Sequence, residues 1–191
     1  MVYILLAPGF EEMEALVPAD LLRRAGIETK LIAVSDNPVP GSHGITVSGD
    51  GGLEEVDLDR ARMLVLPGGL TGVKNLGDSP AVERLVREAR SRNIHVAAIC
   101  AAPTLLGKWG LLEGKQAVCY PGMEDELTGA QLRRGAGVVA DGTILTGQAA
   151  GVSFQFGKAL IETLAGKEAA DQVFQGICWP VPLSDGKQAE D

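Results

Sequence analysis

Runs rich in valine, isoleucine and leucine recur along this 191-residue chain and alternate with amphipathic stretches. That alternation constrains the fold more than any other feature. A strand covered on both faces reads as an unbroken apolar run, and parallel strands need long crossovers between them, usually helices. The pattern therefore predicts an α/β chain with a mostly parallel central sheet and helices on both faces. The predicted strands are VYILLA (2–7), ETKLIAV (28–34), RMLVLP (62–67), HVAAIC (95–100), QAVCY (116–120) and TILTG (143–147). A helix is predicted from Glu11 to Ala25, ending at Gly26, a residue suited to the C-terminal cap. A second starts at Asp78 or Ser79, just before Pro80, and its stripe of Val82, Leu85, Val86 and Ala89 has helical spacing. A third covers about Val152 to Leu164. Between Pro40 and Leu53, glycines and the alternation in GITVS predict a small hairpin or excursion. No repeat or linker interrupts the pattern, so residues 1–178 are expected to form one domain. Residues 179–191 read as a tail, either loose or strapped across the body by Trp179.

Composition narrows the function classes. No window approaches the ~18–20 apolar residues of a membrane span, although hydrophobic residues make up 46% of the chain. VYILLA has no basic segment before it and no small-residue cleavage site after it, so a signal peptide is not expected. The net charge of −8, with no basic cluster in sequence, argues against nucleic acid or an anionic membrane as partner. Three cysteines without CxxC spacing and two histidines argue against a disulfide framework and against a structural metal site. The expected setting is the cytoplasm.

Cys100 stands where a buried strand ends and AAPTLLGKWG begins a helix, with Pro103 in its first turn. Such a turn sits at the carboxyl edge of the sheet, where open α/β sheets build their sites. It also aims free N–H groups and the positive end of the helix at the sulfur, which favours thiolate. The geometry is that of a nucleophile elbow, with Ile99, Ala101 and Ala102 in place of the usual glycines. The other reading of Cys100 is a small buried hydrophobe. Cys119 reads as a core strand residue and Cys178 as a packing or surface thiol. His95 begins the same strand, ~16 Å before Cys100, and so lies at the opposite edge. His43 lies in the glycine-rich excursion and reads as a surface residue, so no Cys–His dyad is predicted.

Carboxylates are the remaining partners. In PGFEEMEALVPADLLRRAG, Glu14 shares a stripe with Pro18, Leu21, Leu22 and Ala25, the side turned to the core. Glu12 falls with Leu16, Asp20, Arg23 and Arg24 on a face expected to be mostly solvated, and Glu11 sits at the helix start. Glu11 and Glu12 read as helix N-terminal charges. A core-facing carboxyl tends to stay protonated, and can then donate a hydrogen bond or move a proton. Gly68 and Gly69 follow a buried strand, and their backbone can approach a ligand or aim N–H groups at an oxyanion. A plain tight turn is the alternative, whereas the spacing fits neither phosphate-binding glycine motif.

The segments PGFEEMEALVPADLLRRAG, LVLPGG and AAICAAPTLL, with ILTGQAAGVSFQFGKALIETLAGKEAADQV, resemble the ThiJ/PfpI superfamily in its DJ-one branch, from residue 1 to about 175. The resemblance implies a flavodoxin-like three-layer α/β sandwich, a homodimer, and a readily oxidised elbow cysteine. It makes Cys100 the nucleophile and Glu14 the carboxylic acid bonded to it, with Gly68, Gly69 and Ala101 forming the main-chain pocket around sulfur. Tyr120 stands where several relatives place a histidine, which leaves the acid–base work to Glu14. His43 stands where the family has an arginine, so an anion contact is lost there, whereas Arg24 is retained. Peptidase-like members carry a histidine after the cysteine and isocyanide hydratases favour threonine, so Ala101 disfavours both.

The activity implied is that of a glyoxalase III or protein deglycase, needing no cofactor, metal or glutathione. A low-pKa Cys100 thiolate attacks the aldehyde of methylglyoxal or glyoxal, Glu14 moves a proton in the hemithioacetal, and water releases lactate or glycolate. Glycated amines or thiols are substrates of the same kind. The competing reading is a redox sensor or chaperone that uses oxidation of Cys100, and a cysteine hydrolase or peptidase comes third.

Overall fold

The computed structural model describes residues 1–179. In chain order its elements are β1 (Val2–Leu6), α1 (Glu12–Arg24), β2 (Thr29–Ala33), β3 (Val39–Pro40), β4 (Thr46–Val47), β5 (Gly51–Gly52) and β6 (Met63–Leu66). Then follow α2 (Leu70–Gly77), α3 (Pro80–Ser91), β7 (His95–Ile99), α4 (Pro103–Lys108), β8 (Gln116–Ala117) and β9 (Gln131–Leu132). The series closes with β10 (Val138–Asp141), β11 (Ile144–Gly147), α5 (Ser153–Ala165) and α6 (Lys167–Gly176).

Seven strands form the central sheet in the order β10-β11-β7-β6-β1-β2-β5. All its pairings are parallel except that of β10 with β11. The apolar runs are the buried strands: β1 and β6 have no exposed residue. Alternate residues feed two cores. Ile4, Ile99, Leu22, Phe156 and Leu160 pack on the α1 and α5 side, and Leu5, Leu66, Ala98, Val86 and Leu106 pack on the side of α2, α3 and α4. Each such large apolar side chain contributes about 1.5–3 kcal/mol on burial. Ser79 caps α3 by accepting from Val82 N, ahead of Pro80 at the helix start.

Four departures from the sequence reading have physical causes. Residues 116–120 do not join the central sheet; only β8 forms, paired with β9 in a separate ribbon. Past it the main chain takes other partners, with Val118 N donating to Thr146 Oγ1 at 3.0 Å and Tyr120 N to the Cys100 carbonyl at 2.8 Å. The segment after Gly69 is the eight-residue helix α2 rather than a loop. Strand β10, which the apolar-run criterion passed over, pairs with β11 across the Asp141–Gly142 turn. Helix α6 likewise lies beyond the helices expected, with Ala170, Val173 and Phe174 buried. The hairpin expected between residues 40 and 53 is β3 paired antiparallel with β4. Trp179 stacks on Phe154, ring centroids 4.4 Å apart; the rest of the expected tail lies outside the described residues.

Candidate active site

The parallel register brings three distant segments together. β1, β6 and β7 are consecutive in the sheet, so the turns at their carboxyl ends are neighbours: residues 7–11, Gly68–Gly69 and Cys100–Ala101. Glu11 N donates to the Gly68 carbonyl at 3.0 Å, and Gly72 N to the Gly9 carbonyl at 3.0 Å. Gly69 sits at φ 89°, and a Cβ there would lie 2.4 Å from the Gly9 carbonyl oxygen. Only glycine fits this crossing of two main chains.

Cys100 adopts φ 65°, a left-handed conformation uncommon for a side chain of this kind. Hydrogen bonds on both sides hold it there, from Cys100 N to the Gly147 carbonyl at 3.0 Å and from Tyr120 N to the Cys100 carbonyl at 2.8 Å. The arrangement is a strand-to-helix elbow that turns the thiol out of the strand.

Glu14 is fully buried, and Gly68 N donates to its Oε2 at 2.7 Å. A Cβ on Gly68 would lie 2.4 Å from that oxygen and 2.6 Å from Cys100 Cβ. The missing side chain of Gly68 is therefore what lets carboxyl and cysteine approach. The carboxyl also interacts with the Cys100 thiol, while Oε1 makes no hydrogen bond of full geometry. Burial pushes Glu14 up to about 7, reinforced by the Glu11 charge and opposed by the Gly68 N–H and Cys100.

The thiol does not behave as the helix-start reading expects. Burial, followed by the charge of Glu14 and its hydrogen bond, pushes Cys100 up to about 12; the N–H groups of Gly69 and Ala101 pull the other way. The following helix, α4, is six residues long and begins three positions later at Pro103, so its field is the weaker influence. The two groups form one proton-sharing pair. When Glu14 takes a proton its charge disappears, and it becomes a donor to sulfur.

The remaining candidates are distributed unevenly. Tyr120 has an exposed side chain and touches the elbow through its main-chain N–H. Arg24 is not brought to the site; it lies at the far end of α1, paired with Asp20 at 2.6 Å. His43 is exposed but close to the start of α1, with Nδ1 3.0 Å from Glu12 and 3.8 Å from Glu11. His95 stands at the start of β7, opposite Met63 and away from the thiol. Cys119 is buried and Cys178 exposed, and burial pushes the Cys119 thiol up to about 11, with the charges of Glu124 and Glu126 adding to it.

Glu12 is the residue that sequence reasoning misplaced. Its face of α1 is covered by the hairpin, and the side chain is buried. It accepts from Ser42 Oγ at 3.1 Å, His43 N at 2.7 Å and Ile45 N at 3.3 Å, and shares a proton position with His43 Nδ1. Burial opposes ionisation, yet the bonds from His43 and Ile45 outweigh it and hold Glu12 down to about 2. Glu11 caps α1, its carboxylate accepting from Glu14 N at 2.8 Å. Glu11, Glu12 and His43 also have ligand atoms within 4.8 Å of one another. The Glu12 oxygens are committed to the 42–45 loop, so this group is accounted for as the hairpin's anchor. No helix among the described residues is long and apolar enough to cross a membrane.

Known proteins resemble this chain in sequence and in fold. The DJ-1/PfpI family model matches residues 1–163. Protein dj-1beta of Drosophila melanogaster is 38% identical over 91% of this chain and 94% of its own, and its crystal structure superimposes with a TM-score of 0.88 over 93% and 96% of the two chains. The structure described as oxidized DJ-1 of Toxoplasma gondii is 31% identical, with a TM-score of 0.87 over 94% and 98%. A Caenorhabditis elegans protein named glutathione-independent glyoxalase DJR-1.2 is 28% identical over 92% of this chain and 94% of its own. Elbow, buried acid and paired glycines thus lie within a match that runs nearly the length of the chain, and the chain belongs to the DJ-1/PfpI family.

Proposed function

We propose that this chain is a cysteine-dependent, cofactor-free glyoxalase of the deglycase type, converting methylglyoxal or glyoxal to lactate or glycolate. The observation that carries the reading is the Glu14 carboxyl, buried between the Gly68 N–H and the Cys100 thiol and raised to about 7. A group of that pKa can take and return a proton near neutrality. Sulfur attacks the aldehyde carbon as the thiol proton passes to Glu14, and the carbonyl oxygen becomes an oxyanion facing the N–H groups of Gly69 and Ala101. Glu14 protonates that oxygen to complete the hemithioacetal. It then removes the proton on the former aldehyde carbon and returns one to the neighbouring carbon, while the hydroxyl proton of the hemithioacetal passes to the neighbouring oxygen, which leaves the thioester of a hydroxy acid. Water cleaves the thioester, releasing the hydroxy acid and restoring the thiol. Early glycation adducts on amines or thiols would pass through the same atoms. The glyoxalase named in Caenorhabditis elegans supports the reading.

Lactate formation from methylglyoxal, measured without glutathione, tests it. Wild type should turn over, while Cys100→Ser and Glu14→Gln should each fall by a factor of at least ~100. Wild-type turnover no higher than that of Cys100→Ser would overturn the proposal. The oxidized relative favours a second reading, in which peroxide converts Cys100 to a sulfinate held by Glu14 and the chain acts as a redox sensor or chaperone. Stable sulfinate formation with negligible turnover would select it. We propose a homodimer in either case, formed through the α1 face that exposes Met13 beside Leu16 and Val17; sedimentation velocity checks this.

A further inference from the structure

The amino edge of the sheet, opposite the thiol, gathers cations that the described residues leave without a carboxylate. Arg62 precedes β6, His95 opens β7 and Thr143 precedes β11, and these strands are adjacent. His95 N donates to the Arg62 carbonyl at 3.2 Å and Val96 N to the Thr143 carbonyl at 2.9 Å, so the three positions stand side by side. Arg90, near the end of α3, reaches across to Thr143 Oγ1. Arg62 donates to the Leu164 carbonyl at the end of α5. Among the described residues neither guanidinium meets a carboxylate, whereas Arg60 is paired with Glu28 and Arg92 with Asp59 and Glu88.

Two nitrogens of this cluster, Arg90 Nε and His95 Nδ1, are buried without a partner among the described residues. A buried polar atom left unpaired in a folded protein points to a water or ion that completes it. Burial lowers the pKa of His95, and Arg62 and Arg90 lower it further. Among the described residues no carboxylate pairs with either guanidinium, although the chain carries a net charge of −8. What the cluster lacks among the described residues is an acceptor with negative charge.

We propose that Arg62, Arg90 and His95 form a binding site for a phosphate-type oxyanion, distinct from the Cys100 site. Guanidinium groups hold tetrahedral oxyanions through paired N–H donors; Arg90 Nε and, in its Nδ1–H or protonated form, the His95 imidazole offer donors that the described residues leave unused. The site and the thiol stand at opposite ends of β7.

The chain has two histidines, so their ring resonances separate the sites without any substitution. Inorganic phosphate, titrated at pH 7 and constant ionic strength against chloride, should shift the His95 ring nitrogens saturably and leave those of His43 in place. Saturation by methyl phosphate alone would likewise support the site, as one for a phosphate carried on a larger molecule. Arg62→Gln and Arg90→Gln should each weaken the response about tenfold or more. No response of His95 to either compound, or unsaturable movement of both histidines together, would overturn the proposal. If a glutamine variant fails to fold, the wild-type titration still decides.

Discussion

Replacing Glu14 by glutamine should remove a pH dependence of stability that the fold imposes. In the unfolded chain this carboxyl titrates near 4.5, and burial raises it to about 7 in the fold. Below pH 4.5 both states hold the proton. Between 4.5 and 7 the unfolded chain releases it while the fold retains it, so stability falls as pH rises through that window. Above 7 the fall is complete, at roughly 3 kcal/mol. Glutamine is uncharged throughout, and its side-chain oxygen can still accept from Gly68 N, so the hydrogen bond that holds Glu14 in place survives. Urea unfolding followed by circular dichroism under reducing conditions, in half-unit steps from pH 4 to 8, gives the difference between wild type and Glu14→Gln. That difference should swing by about 3 kcal/mol towards the variant across the series. Other titrating groups cancel in the subtraction. A difference flat to within about 0.5 kcal/mol would show that Glu14 is not the raised acid, and the proton-transfer role drawn from it would fall too.

Three further outcomes follow from the same site. Glu14→Gln removes the carboxylate charge that helps hold Cys100 up to about 12, so the midpoint of its alkylation by iodoacetamide should move to lower pH, with Cys100→Ser giving the background of Cys119 and Cys178. Gly68→Ala would put a methyl 2.4 Å from Glu14 Oε2; it should destabilise the fold by about 1–3 kcal/mol in thermal unfolding and separate acid from thiol, abolishing turnover. Glu12→Ala leaves the N–H groups of His43 and Ile45 without their acceptor. It should cost about 1–3 kcal/mol and raise amide hydrogen exchange most across residues 41–47, with exchange at β7 rising by no more than the loss of global stability.

What could be read from the chain was whatever depends on local pattern. β1, β6, β7 and β11 were visible because a strand buried on both faces is made mostly of apolar residues, and Glu14 stood out because a charge on an apolar helical stripe is costly. Glu12 failed the same test: its stripe is polar, and what covers it is a hairpin about thirty residues away. The segment 116–120 is apolar enough for a strand, but the hydroxyl of Thr146 and the carbonyl of Cys100 take its main-chain donors. No window of sequence records that competition. The thiol's acidity was misjudged for a related reason. A helix start is a local feature, whereas the burial and the carboxylate that dominate Cys100 come from the assembled sheet.

One turn of helix has consequences for how this protein can change. Glu11 caps α1, Glu12 anchors the β3–β4 hairpin and Glu14 faces the thiol. Each points along a different direction fixed by the 100° step of the helix. Inserting or deleting a single residue between Ala7 and Glu11 would rotate all three out of place together, without altering any of them chemically. Length is thus as tightly controlled in that loop as the buried Phe10 and the left-handed Gly9 it contains. A library that varies the number of residues there should return almost no active sequences, whichever side chains it carries.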